Sequence, residues 1–180
     1  MQSSHPRGFS HHLQRKFVLL SVLAALLVSA SLTAAPLPDP LLRKPAPTFI
    51  RNDIAGHPID LTSYRGHVIL LTFWATWCAP CRVEMPRFIA WQNQYGPRGF
   101  QVIAISMDDD PAPVLALDRK LPFNFPVLMG DEDLGTLYGG ILGLPIAYLI
   151  DRNGIVRARF KGNINLHSME LDVTKALRRP

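Results

Sequence analysis

Two near-continuous apolar runs, residues 67–73 and 100–106, organise this chain of 180 residues. Runs of that length and continuity predict strands buried on both faces of a sheet. Between them, residues 79–95 predict a helix, kinked by Pro86 and stopped by Gly96 and Pro97. Upstream, 49–51 and 57–60 predict an N-terminal β-hairpin, followed by a short turn over 61–64 that Gly66 closes. Downstream, Asp110 as N-cap and proline in the first turn predict a helix to Lys120. Residues 125–129 then read as a short strand and 131–138 as a short helix ended by Gly139 and Gly140. Residues 145–150 and 155–160 pair as a hairpin across the turn Asp151-Arg152-Asn153-Gly154. A helix over 166–178 closes the chain. Strand-helix-strand followed by hairpin-helix predicts an α/β fold, a mixed sheet with helices on both faces.

Residues 1–35 carry a different pattern. Arg7, Arg15 and Lys16 precede an apolar stretch over 17–28, broken only by Ser21, and small residues follow to Ala35. Basic, then apolar, then small is the order of an export signal. The leader reads as either a cleaved signal peptide or a retained membrane anchor. The apolar run reaches the ~20 residues of a spanning helix only if Ser29, Ser31 and Thr33 are counted. Basic residues precede the run and none follows until Arg43, which keeps the N-terminus inside and exports the folded part. The expected location is the periplasm or the extracytoplasmic face of the cell membrane. No cysteine lies near residue 30, which excludes a lipoprotein. The proline-rich stretch 36–47 reads as an extended linker, and 48–180 as one domain. The formal charge of +5 owes three of its positive residues to the leader. The remainder is nearly balanced, and no basic cluster argues for nucleic acid.

The covalent chemistry sits in Trp77-Cys78-Ala79-Pro80-Cys81-Arg82, which holds both cysteines of the chain. A Cys-x-x-Cys pair at a strand-to-helix junction is a redox motif. As a staple it would do little, since bridging so short a ring stabilises by about 2 kcal/mol against about 3 for a 15-residue loop. Cys78 falls at the helix N-terminus, where free N–H groups and the helix dipole favour an anion. That makes Cys78 the candidate nucleophile, open to a partner disulfide, and Cys81, one turn further in, the resolving thiol. Pro80 suits the first turn. Glu84 follows Cys81 at i+3, so Cys78, Cys81 and Glu84 share one stripe of the helix. Asp108, Asp109 and Asp110 read as a solvated loop ending in an N-cap rather than a metal site.

The stretch Phe73-Trp74-Ala75-Thr76-Trp77-Cys78-Ala79-Pro80-Cys81-Arg82-Val83-Glu84-Met85-Pro86, with Gly143-Leu144-Pro145-Ile146-Ala147 downstream, resembles the TlpA/ResA-like thioredoxin family. The resemblance covers roughly residues 43–178. It implies a thioredoxin-like sheet with an insertion after the second core strand, and an exported thiol-disulfide oxidoreductase. It supports Glu84 as the base that handles the Cys81 proton. It also implies a cis peptide before Pro145, packed on the cysteine pair, with Leu144 and Trp77 as further substrate contacts. Ile146-Ala147 replaces the family's usual pair of small hydroxyl residues, which makes the expected groove more apolar. Thioredoxins proper carry a buried carboxylate six residues before the first cysteine, where this chain has Thr72. No cofactor is implied beyond the reversible Cys78–Cys81 disulfide.

The expected activity is reduction of selected protein disulfides, as in cytochrome c maturation, by a monomer that draws electrons from a membrane thiol carrier of the DsbD or CcdA type. Three other readings were weighed. A thiol peroxidase of this fold has threonine three residues before the reactive cysteine, where Ala75 stands. Covalent haem attachment needs histidine after the second cysteine, where Arg82 stands. Copper delivery needs a third ligand, and His167 is the one remote candidate.

Overall fold

A computed structural model describes residues 39–179. The leader, read as signal or anchor, lies outside the described residues. Among those described, no helix is long and apolar enough to cross a membrane.

The chain opens with the hairpin β1 (Ile50–Asn52) and β2 (Pro58–Asp60), antiparallel and separate from the main sheet. A 3-10 turn over Leu61–Tyr64 leads into β3 (Val68–Trp74). Helix α1 (Ala79–Tyr95) follows, then β4 (Phe100–Ser106), α2 (Pro111–Lys120), β5 (Val127–Met129) and α3 (Glu132–Leu137). Strands β6 (Ile146–Ile150) and β7 (Val156–Lys161) and helix α4 (Leu166–Leu177) complete the domain. The five-stranded sheet has the order β5-β4-β3-β6-β7. Strands β3, β4 and β5 run parallel, whereas β6 is antiparallel to both β3 and β7. This is a thioredoxin-like sheet, with α2 and β5 as the insertion between β4 and α3.

The central position of β3 explains its unbroken apolar run, because all seven of its residues are buried. Val68, Leu70 and Trp74 face a core layer shared with Met85, Phe88 and Trp91 of α1 and Met169 and Val173 of α4. Ile69, Leu71 and Phe73 face the opposite layer, with Phe49, Ile59, Leu134 and Tyr138. Successive residues of a strand point to opposite faces, so a strand clothed on both must be apolar throughout. Helices therefore cover both faces, as the element order predicts.

Three boundaries and one larger feature differ from the sequence reading. Strands β1, β3 and β7 each lie one residue further along, and α1 is continuous through Pro86. The stop after α1 is a 3-10 turn over Gly96–Arg98, closed by Gly99 at φ 81°. The larger difference concerns the stretch read as a linker, whose described part, 39–47, is docked on the domain. Arg43 N donates to Val156 O at 2.8 Å and Ala46 N to Gly154 O at 2.9 Å. Arg159 pairs with Asp39 at 2.6 Å, and the Tyr138 hydroxyl donates to Pro47 O at 2.7 Å. Proline content suggests an extended chain, and the chain is extended here. It is held because Ala46 and Phe49 bury themselves in the second core layer.

Tyr138→Phe removes one buried donor and strands the Pro47 carbonyl. Urea unfolding is expected to show a loss of about 1–2 kcal/mol, and an unchanged midpoint would mean that the docked segment does not depend on this bond.

Candidate redox site

Strand β3 ends at Trp74, whose carbonyl accepts from Met107 N at 2.8 Å. The chain then turns through Ala75–Cys78, with Cys78 N donating to Ala75 O at 3.2 Å, and enters α1. Cys78 is the N-cap of that helix, in an extended backbone conformation, and Ala79-Pro80 form its first turn. Its Sγ accepts from Cys81 N at 3.3 Å. A cysteine thus occupies the place where Ser or Asp usually caps a helix, so the helix supplies a donor to the sulfur directly. Cys78 and Cys81 form a disulfide, with their Cα atoms 5.3 Å apart.

Access to the two sulfurs is unequal but narrower than expected. Cys81 is fully buried, and Cys78 is only 5% exposed rather than open. The bridge lays the Cys78 side chain over the first turn of α1, leaving an edge. Around that edge the exposed apolar side chains are large: Trp77 is 68% exposed, Leu142 is 95% exposed, and Val83 is exposed as well. Trp74, by contrast, is fully buried core.

Glu84 lies one turn after Cys81 on the buried side of α1, with Met85 and Phe88. It is 3% exposed, and its Oε2 has no hydrogen-bond partner among the described residues. Burial pushes the carboxyl up from 4.5 to about 7. A neutral carboxylic acid is therefore stable beside Cys81 in mildly acidic conditions, and a carboxylate in mildly basic ones. Thr72 is buried too, and its Oγ1 has no partner among the described residues.

The Leu144–Pro145 peptide is cis. Ile146 pairs with Phe73, so Pro145 stands one step beyond the last register pair, at the sheet end where Cys78 lies. Its carbonyl accepts from Gly162 N at 3.0 Å. Leu144, half-buried against both core layers, makes no backbone hydrogen bond among the described residues. The topology therefore gathers Trp77, Cys78, Cys81, Leu144 and Pro145 at one end of the sheet, with Glu84 beneath them on α1. His167 is exposed in the first turn of α4. Among the described residues no three His, Cys, Asp or Glu side chains are grouped to hold a metal.

Sequence reasoning missed one part of this end of the sheet. Asp108 was read as solvated, yet it is buried and bonded to Thr76 in the loop before Cys78. Asp110 does cap α2, accepting from Ala112 N. A triplet of aspartates at the end of a core strand was the available signal, but nothing local says which of the three points inward.

The AhpC/TSA family model matches residues 42–159. Over 129 residues the chain is 33% identical to thiol-disulfide oxidoreductase ResA of Bacillus thuringiensis, covering 71% of this chain and 73% of that protein. The chain belongs to the AhpC/TSA family, among its ResA-like thiol-disulfide oxidoreductases. ResA of Geobacillus kaustophilus is 30% identical over 125 residues, covering 69% of this chain and 72% of its own. A thiol:disulfide interchange protein of Chlorobium tepidum has the same fold, with a TM-score of 0.69 and 30% identity, covering 74% of this chain and 95% of that structure. Within this family the disulfide on α1 is the redox group, and the surrounding geometry concerns how it is reached and how protons move.

A group whose folded-state pKa is raised stabilises the fold fully below its unfolded value, here 4.5, and loses that contribution as pH rises through about 7. Each unit is worth about 1.36 kcal/mol, and solvent screens part of the shift, so the loss is on the order of 2 kcal/mol. Glu84→Gln is expected to flatten this decline in urea-unfolding free energy between pH 4.5 and 7. An unaltered slope in the variant would place the titrating group elsewhere.

Proposed function

We propose that this protein is an exported reductant of specific protein disulfides, with cytochrome c maturation as its setting. The observation that carries the reading is an unpartnered buried carboxyl, poised near neutrality, one helical turn after the resolving cysteine. In the dithiol form, the Cys78 thiolate attacks one sulfur of a substrate disulfide. A mixed disulfide forms, and the other substrate sulfur leaves as a thiolate. Glu84 then takes the proton of the Cys81 thiol. The Cys81 thiolate attacks Cys78 Sγ, which closes the Cys78–Cys81 disulfide and releases the second substrate thiolate. Two electrons pass to the substrate, whose thiolates take up two protons.

The free backbone of Leu144 suits an extended substrate segment added as a strand, and Trp77 lies ready to cover its side chains. A membrane thiol carrier of the DsbD or CcdA type would return the dithiol form, with the protein acting as a monomer at the extracytoplasmic face of the membrane. Potentials on this frame run from about −270 to −120 mV. A reductant belongs near the lower end. Ala75, buried before the motif, offers no hydroxyl for a peroxide, which favours protein disulfides as the substrate.

Cys81→Ser is expected to accumulate mixed disulfides through Cys78, resolved by non-reducing gels, while Cys78→Ser forms none. Equilibration of the native pair with glutathione is expected to give a potential in the lower half of the range. A value near the upper end would overturn the direction of electron flow.

A further inference from the structure

Buried carboxylates need donors, and Asp108 has three from side chains and backbone around it. Thr76 N donates to its Oδ2 at 2.9 Å, and the Thr76 hydroxyl donates to its Oδ1 at 2.5 Å. Ser106 Oγ donates to Oδ2 at 2.7 Å, and Asp108 N donates back to Ser106 Oγ at 3.1 Å. The group is 7% exposed. With every neighbour donating to it, the side chain serves as a pure acceptor, the role of a carboxylate. These bonds join the end of β4 to the loop between β3 and α1. Thr76 is two residues before Cys78, a separation of at most ~7 Å between Cα atoms.

We propose that Asp108 is a positioning residue for the redox pair: clamped on Thr76, it fixes the loop ahead of Cys78 and keeps a negative charge there that disfavours the Cys78 thiolate. The inference rests on Cys78 as the attacking thiol. A helix N-terminus alone pulls toward a stable thiolate, and a stabilised dithiol form makes a strong oxidant. Asp108 opposes that pull from the loop side and leaves the pair a better electron donor. The acid therefore contributes in two ways, by geometry through Thr76 and by charge. Other charged groups also face this joint. Glu84 is buried on α1, Arg82 is exposed on its first turn, and Asp109 is exposed beside Asp108. Asp131 and Glu132, at the start of α3, line the same concave surface as Asp108 and Asp109. Of the acids here, Asp108 alone is hydrogen-bonded to the loop that carries the nucleophile.

The test compares native protein, Asp108→Asn, Thr76→Val and Thr76→Ser. Each is equilibrated with reduced and oxidised glutathione, where two glutathione thiols become one disulfide as the pair is reduced. The pH midpoint of Cys78 alkylation is measured on the dithiol form. One charge at this range changes an equilibrium by about fivefold, so Asp108→Asn is expected to shift the pair by that much toward the dithiol. Its alkylation midpoint is expected to move to lower pH. Thr76→Val, which releases the carboxylate toward solvent, moves both readouts the same way by less, and Thr76→Ser restores native values. A folded Asp108→Asn with native equilibrium and midpoint overturns the proposal, as does a loss of stability with both readouts unmoved. Should that variant not fold, native readouts in Thr76→Val overturn it. Reduction of insulin by the native protein tests the underlying function separately, so a failure there leaves the Asp108 comparison intact.

Discussion

The parallel register of β3 with β4 carries both strands to one end of the sheet, and the chain must turn there to lay α1 across the face. Because β3 stops at Trp74 and the turn closes at Cys78, the first sulfur arrives at the helix N-terminus, where unbonded N–H groups meet it. One turn along the helix brings Cys81 into the core and another brings Glu84. The antiparallel pairing of β6 with β3 delivers Pro145 to the same end. Had β3 run two residues further, the cysteines would have fallen within the helix, with no free donors to receive a thiolate.

Two carboxyl groups at this end of the sheet meet opposite surroundings. Glu84 is buried among apolar side chains with an orphaned oxygen, and desolvation raises its affinity for a proton. Asp108 is buried nearly as deeply but is ringed by donors. Identical chemistry thus yields a proton carrier in one place and a fixed charge in the other, because hydrogen bonds to the charged form compensate desolvation only at Asp108. Thr72 completes the contrast, placing a hydroxyl where thioredoxins proper bury an acid.

The elements were legible because their causes are local. A doubly clothed strand has to be apolar throughout, so β3 and β4 stand out at once, and α1 is framed by its prolines and glycines. The readings that failed all concern burial decided by distant chain. Prolines in 39–47 correctly signal an extended backbone, yet only the second core layer and the β7 edge make that backbone a docked strap. Cys78 looks exposed at a helix end until the bridge folds it inward. Asp108 looks like a loop acid until Thr76, 32 residues earlier, turns out to be its partner.

Sequence alone therefore determined the redox group, its place at a strand-helix junction and the order of elements, since spacing, periodicity and turn chemistry act within a few residues. Tertiary structure decided the environment of each titrating group and which side chains ring the disulfide. Desolvation and hydrogen bonding depend on neighbours brought from β4, β6 and the loops, and no local pattern encodes how far each is buried. For this protein the identity of the reacting atoms is local information, while the forces that tune them are not.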